Sequence, residues 1–242
     1  MSVVAFRLAG PLQSWGVSSR FVRRDTGTVP SKSGIIGMVA AAKGLHRTDP
    51  LDKELLDLRL GVRIDQPGQL VRDFQTEQRP KRAADGSLTW TSLPLSYRYY
   101  LADAVFLAVL EGPQEVVTAI DAAVRNPEFP LYLGRRSCPP AGPIALGVFD
   151  RDLESALAAL PWQAGKRWRR RATQAKVTLE TVRDPKPGEA GVETVRDLPV
   201  SFDPNRRAYS WRSVVRAPAV VENPDGRADT DGEHDPMSAL GA

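Results

Sequence analysis

The densest chemistry in the chain lies in YLGRRSCPP, Tyr132–Pro140, where Arg135, Arg136 and Ser137 run into Cys138, the only cysteine. A thiol beside two guanidinium groups suggests a nucleophile, because neighbouring cations stabilise the thiolate. That chemistry also needs a base or a second thiol, and neither is close in sequence. One cysteine forms no internal disulfide and no cysteine-based zinc site. Gly134 and two prolines instead make the stretch a rigid loop. The arginines then read as planar donor forks for a phosphate or a base edge, Ser137 as a further base contact, and Cys138 as a small buried filler.

General acid–base work is served no better. The two histidines are His46, in the loop sequence GLHRTDP, and His234, in an acidic stretch. No acidic pair has metal-ligand spacing, and neither GxxxxGK[ST] nor GxGxxG occurs. The expectation is no catalytic residue, no metal and no cofactor. One alternative stays open: metal-independent RNA cleavage by a tyrosine–lysine pair or by His46.

Binding residues are plentiful. The chain of 242 residues carries a net charge of +4. From Glu222 to Ala242 there are six acidic residues and one basic one, a net of −5, so residues 1–221 carry +9. A basic body with an acidic end suits a polyanionic partner, although a basic surface that only aids solubility has the same composition. Arg20, Arg23 and Arg24 precede a helix that opens with Ser31, Lys32 and Ser33, where free N–H groups can meet a phosphate or simply be capped. Arg72, Gln75, Arg79, Lys81, Arg82, Tyr97 and Arg98 lie among Phe74, Trp90, Tyr99 and Tyr100. Cations can follow a sugar-phosphate backbone while rings stack on splayed bases; the competing reading packs the rings against the core. KRWRRR, Lys166–Arg171, is either an RNA patch or a solvated strand edge.

The elements that would position these residues follow from periodicity. VVAFRL reads as a strand, SKSGIIGMVAAAKGL as a helix, and DKELLDLRL as a short second helix. LGVRID and QLVRDFQT are strands, SYRYYLADAVFLAVL returns as a strand, PQEVVTAIDAAVRN is a helix and IALGVF a strand. The βαββαβ order predicts an α+β, ferredoxin-like (RNA-recognition-motif-like) domain over 1–150, with a β-hairpin thumb inserted at about 69–98. Residues 151–221 read as a small, mostly β C-terminal domain or extension, and 222–242 as an acidic disordered tail. No apolar run approaches the ~20 residues of a membrane span, and the N-terminus has no signal-peptide pattern, so a soluble cytoplasmic protein is expected.

Four stretches together, FRLAGPLQSWG (Phe6–Gly16), PSKSGIIGMVAAAKGL (Pro30–Leu45), LVRDFQT (Leu70–Thr76) and YLGRRSC (Tyr132–Cys138), resemble the CasD family. These are the Cas-five-type subunits of type I-E CRISPR surveillance complexes, or Cascade. The resemblance covers most of residues 3–150 in the same order. It implies an RNA-recognition fold with a thumb and a structural, non-catalytic role in antiviral defence. It also implies that the chain holds the 5′ handle of the CRISPR RNA. The implied protein partners are the adjacent backbone subunit and the large subunit. Target DNA would be met only indirectly, through the complex, and no membrane is involved. A related branch, in type I-C systems, cuts repeat RNA. By position, GRRSC would lie near the handle, PSKSG would present a helix N-terminus to phosphate, and Asp73–Arg98 would be the thumb.

Overall fold

The structure is a computed structural model that describes residues 1–16, 22–189 and 193–227. In chain order the first elements are β1 (Ser2–Ala9), β2 (Leu12–Gln13), β3 (Arg23–Arg24), α1 (Lys32–Ala42), α2 (Lys53–Asp57) and β4 (Arg59–Gln66). There follow β5 (Gln69–Gln75), β6 (Gln78–Arg82), β7 (Leu88–Ser92), β8 (Ser96–Ala102), β9 (Val105–Gly112), α3 (Gln114–Arg125) and β10 (Ala145–Phe149). The chain continues through α4 (Leu153–Ala159), α5 (Lys166–Arg171), β11 (Lys176–Arg183), β12 (Glu193–Ser201) and β13 (Ala208–Glu222).

The main sheet has seven strands in the order β10-β1-β9-β4-β11-β13-β12. β1 and β9 are buried along almost their whole length because both faces of the sheet are covered. Val4, Phe6 and Leu8 of β1 pack with Ile35, Ile36 and Val39 of α1 and Val117, Ile120 and Val124 of α3. Val3 and Ala5 point the other way, onto Leu153, Ala156 and Leu157 of α4. The molecule is mixed α+β, mostly strand. The strands of 151–221 continue the sheet of the first 150 residues; β11 pairs antiparallel with β4 through Thr181–Arg183, so one sheet runs through both.

Two expectations need correction. KRWRRR is the helix α5, not a strand edge: the Asn223 side-chain amide donates to the carbonyls of Arg169 (3.1 Å), Ala172 (2.6 Å) and Gln174 (3.0 Å), closing the helix end from a distance of about fifty residues along the chain. For the same reason residues 222–227 are not loose. Asn223 is buried, and Arg227 N donates to Thr173 O at 2.9 Å. The rest of the acidic stretch, 228–242, lies outside the described residues.

Gly34 and Gly37 let α1 approach Trp15 and Phe202 closely. A Cβ at Gly34 would stand 2.8 Å from the Trp15 ring, and one at Gly37 3.4 Å from the Phe202 ring. Trp15 is held in turn by Gln13. The Gln13 amide donates to Leu8 O (3.1 Å) and Ala104 O (2.7 Å) and accepts from the Trp15 indole at 3.1 Å.

Candidate nucleic-acid interface

A second, smaller sheet forms around β8. β5 runs antiparallel along one edge of it; β2 and β3 share the other edge, β3 in parallel. Successive residues of a strand alternate between faces. Tyr97 and Tyr99 therefore share one face with Arg23 and Phe74, which pair with Tyr97, and with Arg72, which pairs with Tyr99. The Arg23 guanidinium lies over the Tyr99 ring at 5.0 Å and that of Arg72 over Tyr97 at 5.3 Å. Phe74 stays 62% exposed. Both stacked arginines are exposed, an arrangement that suits phosphates and planar bases. Asp25 accepts from Arg23 at 2.8 Å and holds its guanidinium pKa above the ordinary value.

The opposite face carries Arg24, Asp73 and Arg98 in one cross-strand row. Arg24 is exposed, Arg98 half-buried with its Nε enclosed and unpartnered among the described residues, and Gln75 half-buried at the end of β5. Beyond Gln75, β6 and β7 make a hairpin whose faces differ. Arg79 and Lys81 lie across from Thr91 and Thr89, and Arg82 across from Leu88 beside Trp90, the last two each 65% exposed. The turn is local chemistry: Gly86 has φ +84°, and Asp85 Oδ1 accepts from the N–H and hydroxyl of Ser87, which lowers its pKa.

The loop GRRSC abuts this sheet because Gly134 permits it. Its φ is +91°, and a Cβ there would fall 1.7 Å from Ser14 O. The two arginines then part. Arg135 turns inward: Nη1 donates to Tyr99 O (3.1 Å), Nη2 to Arg24 O (2.7 Å) and Asp25 O (3.2 Å), and the guanidinium lies 4.9 Å over Tyr100. It ties β3 and β8 together and is not the open contact its sequence suggested. Arg136 and Ser137 are exposed, the latter 3.4 Å from the Tyr100 hydroxyl. Cys138 is fully buried, and burial pushes its thiol pKa up despite the hydrogen bond to Ser137 and the nearby Arg135. A buried thiol held protonated is an unreactive one.

The N-terminus of α1 is a second correction. Ser31 caps it by accepting from Gly34 N at 3.2 Å, and Ser31, Lys32 and Ser33 are all buried. Asp197 of β12 already occupies the anion position, accepting from Lys32 N at 2.8 Å. Lys32 Nζ donates to Leu58 O (2.7 Å) and pairs with Asp184 (2.9 Å). Arg212 closes the group, bonding Asp197 at 2.6 and 2.9 Å and also Asp184. Sequence reasoning missed this network because its members, from Lys32 to Arg212, span 180 residues with no spacing signal. It also ranked Phe74 and Tyr99 below the cations beside them; strand alternation from Tyr97 was the available clue for Tyr99. Of the remaining candidates, Arg20 lies outside the described residues. His46 is exposed, its ring 5.4 Å from that of Phe129 and tilted by 54° to it.

Known proteins are similar to this chain in sequence and in fold. A family model described as CRISPR-associated protein (Cas_Cas5) matches residues 3–215. CRISPR system Cascade subunit CasD of Escherichia coli (strain K12) is 31% identical, over 61% of this chain and 71% of that protein. A chain solved as part of a CRISPR RNA-guided surveillance complex superposes with a TM-score of 0.71 and 34% identity, covering 91% of both chains. Another, described as a crystal structure of Cas protein, gives a TM-score of 0.68 and 34% identity over 93% of this chain and 97% of that one. With its sequence matched from the first strand into the last, and its fold matched over nine-tenths of its length, the chain belongs to the Cas5 family of CRISPR-associated proteins.

Proposed function

We propose that this protein is the CasD-type subunit of a cytoplasmic Cascade surveillance complex. In this reading it holds the 5′ handle of the CRISPR RNA without cutting it. It sits beside a backbone subunit and the large subunit. The observation that carries the reading is the β8 sheet, where Arg23 and Arg72 are stacked on Tyr99 and Tyr97 beside the open ring of Phe74. Rings and cations alternating on an accessible sheet suit a single strand with splayed bases. The antiparallel order β10-β1-β9-β4 supports a ferredoxin-like core, and the paired arms β5/β8 and β6/β7 support a thumb over 69–98. Arg24, Arg79, Lys81, Arg82, Arg98 and Arg136 then line the RNA path, with Gln75 and Ser137 as polar base contacts. Inert burial of Cys138 favours a binding role over endoribonuclease activity.

The test is binding of a single-stranded repeat RNA in EDTA, against a shuffled RNA. Tighter binding to the repeat RNA, weakened about a hundredfold or more by Arg72→Ala with Tyr97→Ala, is expected, since charge-assisted bonds contribute roughly 1.5–3 kcal/mol and base stacking ~1–3 kcal/mol, and each ~1.4 kcal/mol is tenfold. Equal affinity for both RNAs would make the chain a general single-strand binder. Specific cleavage within the repeat, abolished in His46→Ala, would make it a nuclease.

A further inference from the structure

The handle reading leaves α5 unused. Its six residues hold five cations, Lys166, Arg167, Arg169, Arg170 and Arg171. At 3.6 residues per turn, Lys166, Arg167, Arg170 and Arg171 fall within an arc of about 140°, and Arg169 outside it. The ion pairs respect that division. Arg169 binds Asp225 at 2.8 Å with its side chain mostly covered, whereas Arg170 reaches the same carboxylate only at 3.8 Å and is 64% exposed. Lys166, Arg167 and Arg171 are exposed and have no ion-pair partner among the described residues.

This stripe is mounted rigidly. Asn223 closes the C-terminal end of α5 with three carbonyl bonds. At the other end Gly165 N donates to Gln66 Oε1 at 3.3 Å, and the Trp162 indole to Asp65 O at 2.8 Å. Trp162, Ala164, Val177 and Val221 fill the space between α5 and the sheet. A helix backbone already held at both ends loses little entropy when its side chains bind. The anchoring residue Gln66 also donates to Asp103 O, in the turn that joins β8 to β9, so the stripe stands at the root of the β5/β8 arms.

From this geometry we infer that α5 is a second nucleic-acid contact, one that grips the phosphates of duplex DNA without reading sequence. Two features favour a duplex over an unpaired strand. The helix is only about 9 Å long, and a duplex presents one negative charge per ~1.7 Å of axis, twice the density of a single strand. Trp168, the one aromatic of α5, lies outside the cationic arc with Arg171 over its ring at 6.0 Å, so no open stacking platform faces the stripe.

The experiment uses the full chain, a mixed-sequence duplex DNA of 20 base pairs and a single-stranded repeat RNA, titrated by fluorescence anisotropy across a salt series. Arg167→Gln, Arg170→Gln and Arg171→Gln combined should weaken duplex binding by about an order of magnitude or more. The slope of log affinity against log salt should become shallower by about 0.9 for each phosphate that is no longer neutralised. Binding of the repeat RNA should change less than about twofold, with an unaltered urea midpoint as the check on folding. Arg24→Ala with Arg72→Ala should do the reverse, which separates the two surfaces. A triple variant that binds duplex like the parent overturns the inference. So does one in which repeat-RNA binding weakens equally, because α5 would then belong to the RNA surface. If the parent shows no RNA preference but the α5 variant still binds duplex more weakly, the handle reading fails and this one stands.

Discussion

Around β8, Arg23 and Arg72 lie on tyrosine rings and Arg24 faces solvent, with the carboxylates Asp25 and Asp73 on the same small sheet and only Asp25 seen paired with a cation. At the N-terminus of α1, Lys32 and Arg212 face Asp184 and Asp197 with every side chain about nine-tenths covered. The two regions use the same residue types, and what separates them is where distant carboxylates arrive. Ionised groups removed from water are tolerated only when paired and hydrogen-bonded. The interior region meets that condition by bringing β11, β12 and β13 against α1. Arg63 shows how completely it can be met: its five N–H donors reach Asp65 twice and the carbonyls of Leu157, Leu160 and Pro161. The β8 sheet leaves its charges open, and open charge is what a polyanion can use.

The contrast breaks most visibly at Arg212. Arg212→Ala leaves Asp184 and Asp197 facing Lys32 alone, and the expected cost is about 3–5 kcal/mol of stability, read from urea unfolding. Arg72→Ala in the same assay should move stability by less than about 0.5 kcal/mol. Equal effects would mean that the interior network is no more than a surface ion pair.

Next in size is the split within GRRSC. Arg135→Ala removes donors from three carbonyls and should cost roughly 1.5–3 kcal/mol of stability, with weaker RNA binding as a consequence of the loosened sheet. Arg136→Ala should leave the unfolding midpoint in place and still weaken repeat-RNA binding by about tenfold. Cys138→Ala should leave binding unchanged. An Arg135 variant as stable as the parent would make that residue an open contact after all.

The smallest effect concerns acid. Burial by itself would raise the carboxyl pKa of Asp184, but Lys32 and Arg212 outweigh it and hold it below the ordinary value. A depressed folded pKa adds stability that is fully present above the unfolded value near pH ~3.9 and is lost as pH falls through the folded one. Glu189, bonded by Arg183, is held at about 2 and acts in the same direction. The parent should therefore lose stability as pH drops below about 4, and Asp184→Asn should lose less over that range. Identical acid slopes would show that the carboxylate is not depressed.

Much of the architecture was legible because it is local. Alternation in VVAFRL gave β1, and the opening Ser31–Ser33 gave the start of α1. The single strand expected over SYRYYLADAVFLAVL is two, β8 and β9, because the chain turns at Asp103, whose φ is +55°. The extent of β13 and the helical state of KRWRRR were not legible. Both depend on partners far along the chain, β11 for the first and Asn223 for the second.

The order of residues alone thus dictates the locally signalled elements such as β1 and α1, the basic and aromatic stock of the chain, and the inert setting of its single thiol between glycine and prolines. Which cations are open is a matter of tertiary packing. Lys32 and Arg24 are indistinguishable as letters beside a helix. One is enclosed because Asp184, 152 residues away, reaches its ammonium; the other stays in water because no acid crosses the fold to meet it among the described residues. Desolvating a charge requires a partner, and partners at that separation are supplied by the fold alone.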